Sequence, residues 1–344
     1  MHLGFTLIKL PSAEQARDAG LRLRAKGYAA GFCAEPNFPA PGAAPREPPL
    51  HHILAGLRGE AGAAQRGALC ASLARVLAVT NARLLTTGRR FEAASLLAEV
   101  LKSAAGAAAA PTARAATAAL AALRAREPAG YDRLYKVGRE TTAPLFCALR
   151  DFGEGDKSLA LAALFAMERS CVAGGSALPC EVLPRLLAAH GEDPTACALT
   201  ASVIARVAWE QDDKPRLFLE AGGGGLLPNL CALLRRCVER RAEGDAAAAL
   251  CFSLTALLRH PSEARGAAVA LGLPDLAVRA MHTFFGSEQS VKGAMHLVGI
   301  FGRALRGAEA LDAARMVEAA QQRPDWRLGR ALERARAALL RPGA

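Results

Sequence analysis

Nine cysteines and seven histidines are the side chains best suited to nucleophilic or metal chemistry in this 344-residue sequence. Cys33, Cys70, Cys147, Cys171, Cys180, Cys197, Cys231, Cys237 and Cys251 include no CxxC pair, and most sit in apolar runs such as PLFCAL, PNLCALL and ALCFSL. That is the setting of buried free thiols in a reducing compartment, not of a disulfide framework. His51-His52 is the one histidine pair and lacks a neighbouring set of Cys, Asp or Glu, so it suits a turn or helix start better than a metal site. Carboxylates gather in HGEDP and EQDDKP, where turn formation and solvation account for them. There is no GxxxxGK[ST], no HExxH and no GxSxG at a strand-to-helix turn, and AGGGGLLP lacks the preceding strand and the lysine of a phosphate loop. The sequence is therefore read as that of a non-enzyme, with no catalytic residues, no metal and no cofactor.

Arginine is the chemistry that remains. Of 43 basic residues only seven are lysine, and the net charge is +11. Guanidinium forks bind carboxylates and phosphates in pairs of hydrogen bonds. A GC-rich coding sequence, which favours Ala, Gly, Arg and Pro together, accounts for the average charge, so local clusters carry the functional question. LLRRCVERRAEG places Arg235, Arg236, Arg240 and Arg241 at a helix end, where the dipole favours cations. WRLGRALERARAALLR puts Arg327, Arg330, Arg334 and Arg341 near one helical face, with Leu328, Leu332, Ala335 and Leu339 opposite. Both read as solvated faces, the second on a terminal capping helix, or as a patch for an acidic partner such as an acidic tail, an acidic helix or RNA.

These side chains need a scaffold, and composition says it is helical. The chain is 52% hydrophobic but 5% aromatic, and its apolar share is mostly Ala and Leu. Those are strong helix formers, while β-branched residues are scarce. The start differs: LGFTLIKL reads as a strand, PSAEQARDAGLRLRAKG as an amphipathic helix capped by Ser12, and YAAGFC as a second strand. Then Pro36, Pro39, Pro41, Pro45, Pro48 and Pro49 impose an extended linker or strap. MHLGFTLIKLP has no basic stretch before its apolar run and no small-residue cleavage site after it, so a secretory signal is not expected. Glu14 and Asp18 are out of place in an organellar presequence. No apolar run approaches the about 18 residues that span a bilayer, and no membrane insertion is expected.

From His51 onward one pattern repeats. APLFCALRDFG, LPRLLAAHGED, LPNLCALLRRC and LPDLAVRAMHTFF carry Pro144, Pro184, Pro228 and Pro274, at intervals of 40, 44 and 46 residues. Proline is tolerated in a first turn, so each is expected to open a helix. Between them lie small-residue helices: SLALAALFAMERSCV, TACALTASVIARVAWE, AAAALCFSLTALLRH and SVKGAMHLVGIFGRAL, with an earlier copy in TARAATAALAALRARE. Short glycine-closed segments, GYDRLYKVG, KPRLFLEAGG and EARGAAVALG, precede three of the prolines.

This order, a short helix, glycine, a Pro-opened helix and a longer small-residue helix, resembles the armadillo repeat. RLFLEAGGGGLLPNLCALL is close to that family's characteristic stretch, and AVALGLPDLAVRAM is a degenerate second copy. HEAT-type helix pairs are the alternative architecture, because the short helix is missing before Pro184. The resemblance spans roughly residues 60 to 340. It implies an all-α, right-handed superhelical α-solenoid of about six armadillo-like repeats over 51–344, preceded by a β-α-β segment (1–35) and a Pro-rich linker (36–50). The glycine run is then a corner, at which two glycines suffice and Gly224 and Gly225 lengthen the turn.

The resemblance also implies a concave binding face on the longest helices. Peptide-binding members carry an asparagine ladder there. The matching positions hold Ala166, Arg206, Ala256 and Gly299, with Ala162, Ser202, Phe252 and Met295 one turn earlier. Arg206, Ser202, Phe252, Ala256, Met295, Gly299 and Arg303 form the candidate groove. Without the amides an extended peptide has no donor and acceptor row, so the face suits a helix, a globular surface, or the chain's own N-terminal segment. The expected function is a non-catalytic protein–protein interaction scaffold or adaptor subunit of a larger assembly, intracellular and cytoplasmic. The alternative is a helical-repeat RNA-binding protein, in an organelle, using the Arg clusters.

Overall fold

The computed structural model describes residues 50–59, 62–79, 87–104, 106–125, 135–168, 178–210, 212–302 and 304–340. The chain divides into two units, Met1–Glu47 and Pro48–Ala344, and every described helix belongs to the second. The expected β-α-β segment and all but the last residue of the expected linker lie outside the described residues.

Sixteen α-helices and no strand are found among the described residues. In chain order they are α1 (Leu50–Arg58), α2 (Ala63–Val79), α3 (Thr87–Ser103), α4 (Ala110–Ala125), α5 (Tyr135–Ala148), α6 (Lys157–Glu168), α7 (Leu178–His190) and α8 (Pro194–Glu210). There follow α9 (Lys214–Ala221), α10 (Leu226–Arg240), α11 (Gly244–Leu258), α12 (Ser262–Ala270), α13 (Leu273–Thr283), α14 (Glu288–Phe301), α15 (Gly307–Gln321) and α16 (Arg330–Leu340).

Packing orders them serially. The small-residue helices touch one after another: α2 on α4, α4 on α6, α6 on α8, α8 on α11, α11 on α14 and α14 on α16. We call these the inner helices. Each packs on a helix that precedes it, α1 on α2, α3 on α4, α5 on α6, α7 on α8, α10 on α11, α13 on α14 and α15 on α16. The short α9 and α12 add a third helix to two of these groups, as KPRLFLEAGG and EARGAAVALG lead one to expect. GYDRLYKVG is different, since its described part is simply the first turn of α5.

Among the inner helices α11 is the most enclosed. Twelve of the fifteen residues of α11 are buried, among them Ala246 to Cys251 in one run. A helix apolar all round belongs inside the stack rather than on its surface. Its buried hydroxyls are satisfied within the helix: Ser253 Oγ donates to the Leu250 carbonyl at 2.9 Å and Thr255 Oγ1 to that of Cys251 at 2.8 Å. Glycine brings the next helices closer still. A Cβ on Gly293 would stand 2.9 Å from Cys251 Cβ of α11, and one on Gly302 would stand 2.6 Å from Ala338 Cβ of α16.

Carboxylates in the connections cap two inner helices. Asp156 accepts from the Leu159 N–H at the start of α6 and binds Arg114 of α4 at 2.6 Å. Asp193 accepts from the Ala196 N–H at the start of α8 and pairs with Lys157 of α6. In both cases a cation from the preceding inner helix meets the cap of the next. The Lys157 ammonium and the Ala196 N–H hold the Asp193 carboxyl below its ordinary pKa.

Two of the four prolines open helices as expected, Pro228 and Pro274 in the first turns of α10 and α13. Pro144 and Pro184 do not; they lie inside α5 and α7. An interior proline loses a backbone hydrogen bond at a cost of about 3 kcal/mol. Here the surrounding apolar positions supply the compensation, since Leu145, Phe146, Leu183 and Leu186 are all buried. Tertiary burial overrides the local rule.

The glycine run turns α9 into α10 through 89°. Gly222 N–H closes α9 on the Phe218 carbonyl, and Gly223 and Gly224 have φ of +57° and +78°. Gly224 is thus required in the turn and does not merely lengthen it. Gly222 is needed for space, because a Cβ there would meet Leu226 Cβ at 2.7 Å. Gly225 has φ −87°, and a Cβ there would make only an ordinary contact, 3.4 Å from the Gly222 carbonyl oxygen. Alanine at Gly224 should therefore lower stability by about 1–2 kcal/mol, the left-handed penalty. Alanine at Gly222 should cost at least as much, and Gly225→Ala should be close to neutral. Urea unfolding midpoints of the three variants check this order, and an equal loss at Gly225 would contradict it.

Candidate functional site

Along the inner helices one stripe of residues is neither buried nor fully exposed. It comprises Ala162 and Phe165 on α6, Ser202, Arg206 and Trp209 on α8, Phe252 on α11 with Arg259 at its end, and Lys292, His296 and Ile300 on α14. The steps of three and four residues put each set on one helical face. At its C-terminal end the stripe opens into a cleft of about 250 Å3, lined by Trp209, Thr255, Arg259, Arg265, His296, Gly299, Ile300 and Arg334. Four inner helices and α12 contribute to it.

The lining carries three arginines and no carboxylate. Their roles differ. Arg265 donates from Nε to the Leu258 carbonyl at 2.9 Å and from Nη2 to that of Arg259 at 2.6 Å, satisfying the last turn of α11. Arg259 lies over the Trp209 ring, with Cζ 4.7 Å from its centroid, and donates to the exposed Asp212 at 2.6 Å. Arg334 is exposed on α16 and reaches the lining where Gly299 lets the helices close in: a Cβ on Gly299 would be 3.2 Å from Arg334 Cβ. His296 sits beside Phe252 with ring centroids 6.0 Å apart. Its Nδ1 is buried without a hydrogen-bond partner. Burial, reinforced by Arg334 and Lys292, pushes the imidazole pKa down to about 4, so the ring is neutral at physiological pH.

The structure sorts the sequence-predicted residues. Ser202, Arg206 and Phe252 lie on the stripe, and Gly299 lines the cleft. Ala256 and Met295 do not: both have 0% exposure and belong to the core, so no partner can touch them. The half-exposed neighbour of Met295 on α14 is His296. Arg303 lies outside the described residues. Of the basic patch only Arg334 joins the cleft. Arg235 donates to the Leu271 carbonyl at 3.0 Å, and Arg236 to that of Gly191 at 2.6 Å while pairing with Glu192. These two tie α10 to neighbouring turns. Arg240, Arg241, Arg327 and Arg330 are exposed, Arg241 as the left-handed cap of α10. Sequence reasoning missed Trp209, Arg259 and His296. The signal for the first two was present, since each stands seven residues after a predicted groove position, Ser202 and Phe252.

The described cysteines are all free and all buried except Cys147. Burial pushes the Cys70 and Cys197 thiols up to about 12, which leaves them protonated and unreactive at neutral pH. Among the described residues no group of three His, Cys, Asp or Glu is placed to hold a metal ion. No single described helix is long and apolar enough to cross a membrane, although the bent pair α9–α10 passes by length and composition. No family model matches the sequence, and no curated protein matches it significantly.

His296 yields a pH prediction. An unfolded imidazole titrates near 6.5, whereas the folded one titrates near 4. Between these values the unfolded chain takes up a proton that the folded chain refuses, so stability falls as pH drops through that window. His296→Gln should make the urea midpoint less sensitive to acidification from about pH 7 to about pH 5. An unchanged sensitivity would show that the ring is solvated in the folded chain.

Proposed function

We propose that this chain is a non-catalytic interaction scaffold or adaptor subunit, an armadillo-like right-handed α-solenoid of about six repeats that docks a protein partner on the inner helices. The observation that carries the reading is the stripe from Ala162 to Ile300. The residues between these positions are mostly buried, yet the stripe leaves small, apolar, aromatic and cationic groups half-exposed in helical register. Such a mixture suits a folded surface or an amphipathic helix, which needs an apolar bed with a few polar contacts at its rim. The short α9 and α12 before glycine corners support armadillo-like groups, while the two-helix groups elsewhere keep a HEAT-like element in the reading. The buried protonated thiols fit a reducing, cytoplasmic setting.

RNA binding draws support from the net charge of +11. The cleft gives it little, because Trp209, the aromatic ring in the lining, already carries Arg259 on its face. The decisive measurement is co-purification from the source organism with the tagged full chain and with Phe252→Ala/Ile300→Ala. Proteins retained by the parent should be reduced about tenfold with the variant, in line with loss of two central apolar contacts. The circular dichroism and melting curve of the variant should match the parent. Equal retention by both would reject the inner face as the docking surface.

A further inference from the structure

We infer that the cleft between Trp209 and Arg334 is a receptor for an acidic peptide segment, whose carboxylate engages the Arg334 guanidinium while a neighbouring apolar side chain rests on Phe252 and Ile300. This rests on the docking role proposed for the inner face and specifies the chemistry of the partner. Charge complementarity is the first argument. Arg259, Arg265 and Arg334 converge on one small space with no acid in its lining, and Lys292 stands on the same stripe. Asp212, exposed to solvent, pairs with Arg259 and with His260.

The division of labour among the arginines is the second. Arg265 spends its donors on two backbone carbonyls, and Arg259 is held by Asp212 and by the Trp209 ring. Both contribute field but are fixed in place. Arg334 stands exposed on α16, and a planar fork of this kind matches one carboxylate in a bidentate pair. The adjoining His296 is neutral and has a buried, unpartnered Nδ1, so it adds no competing charge.

Size and surface then favour peptide over nucleic acid. A space of about 250 Å3 accepts one or two side chains. Phe252 and Ile300 offer aliphatic and aromatic contact beside the cations, whereas a bound strand of RNA needs a succession of free aromatic faces along a basic groove. An acid flanked by an apolar residue satisfies both halves of the site.

The test pans a displayed library of random dodecapeptides on the full chain and, separately, on Arg334→Ala, Arg240→Ala and Phe252→Ala/Ile300→Ala. Arg240 is an exposed arginine at the end of α10 that does not line the cleft, and serves as the control for charge alone. Asp and Glu should be enriched over the input on the parent and on Arg240→Ala, and return to the input level on Arg334→Ala. A synthetic copy of a selected peptide should bind Arg334→Ala about tenfold more weakly than the parent in fluorescence anisotropy, as loss of a charge-assisted hydrogen bond predicts. Selected peptides without acid enrichment, an equal loss at Arg240→Ala, or displacement of the peptide by random single-stranded RNA at matched charge would overturn the proposal. Non-acidic peptides that still require Phe252 and Ile300 would leave the docking role standing and remove only the acidic chemistry. Peptides indifferent to both sets would bring down the docking role itself.

Discussion

The close approach of successive inner helices is the constraint on which everything else depends. α11, α14 and α16 come together at small residues, Gly293 on Cys251 and Gly302 on Ala338, where there is no room for even one more carbon. Large side chains would separate the helices; small ones allow the density typical of protein interiors, where each weak contact counts because there are many. The penalty is that alanine buries little area. The stack therefore spreads its stability over many layers, and each helix depends on the neighbours before and after it.

Given that spacing, the connections have narrow tasks. They must reverse the chain in a few residues and satisfy helix ends that sit next to packed neighbours. Asp156 and Asp193 do both, capping one inner helix while holding a cation from the one before it. Arg236 does the equivalent on the other side, carrying α10 onto the end of α7. At Gly222 to Gly225 the chain turns through 89°, and left-handed backbone at Gly223 and Gly224 replaces side-chain capping. Much of the arginine that looks functional in the sequence is thus structural: Arg235, Arg236 and Arg265 all end on backbone carbonyls.

The cleft is a by-product of the same geometry with a different outcome. Where the close approach of α14 and α16 brings Gly299 against Arg334, and α11 ends at Arg259, the inner face leaves a gap that the alanine-rich helices do not fill. Cations and apolar surface meet there without an internal acid.

Most of the secondary structure was legible in the sequence. Alanine and leucine abundance, the scarcity of β-branched residues, and the glycine-closed short segments foretold an all-helical body with corners at Gly222–Gly225 and Gly272, because propensity and φ restrictions are local. The proline rule misled at Pro144 and Pro184, since a local cost of about 3 kcal/mol is offset once the adjoining Leu145, Phe146, Leu183 and Leu186 are buried in the stack. The candidate site was legible by half. Ser202, Arg206, Phe252, Gly299 and Arg334 could be named, but Met295 and Ala256 were assigned to the surface, and His296 and Trp209 were passed over. One step along a helix turns a side chain by about 100°, enough to move it from solvent to core. In helices that are apolar nearly all round, sequence carries no contrast from which to choose the step. What the residues alone determined is that this chain folds into small-residue helices broken by glycine corners; which side of each helix stays open, and which arginine stands free beside it, was decided only when the neighbouring helices packed.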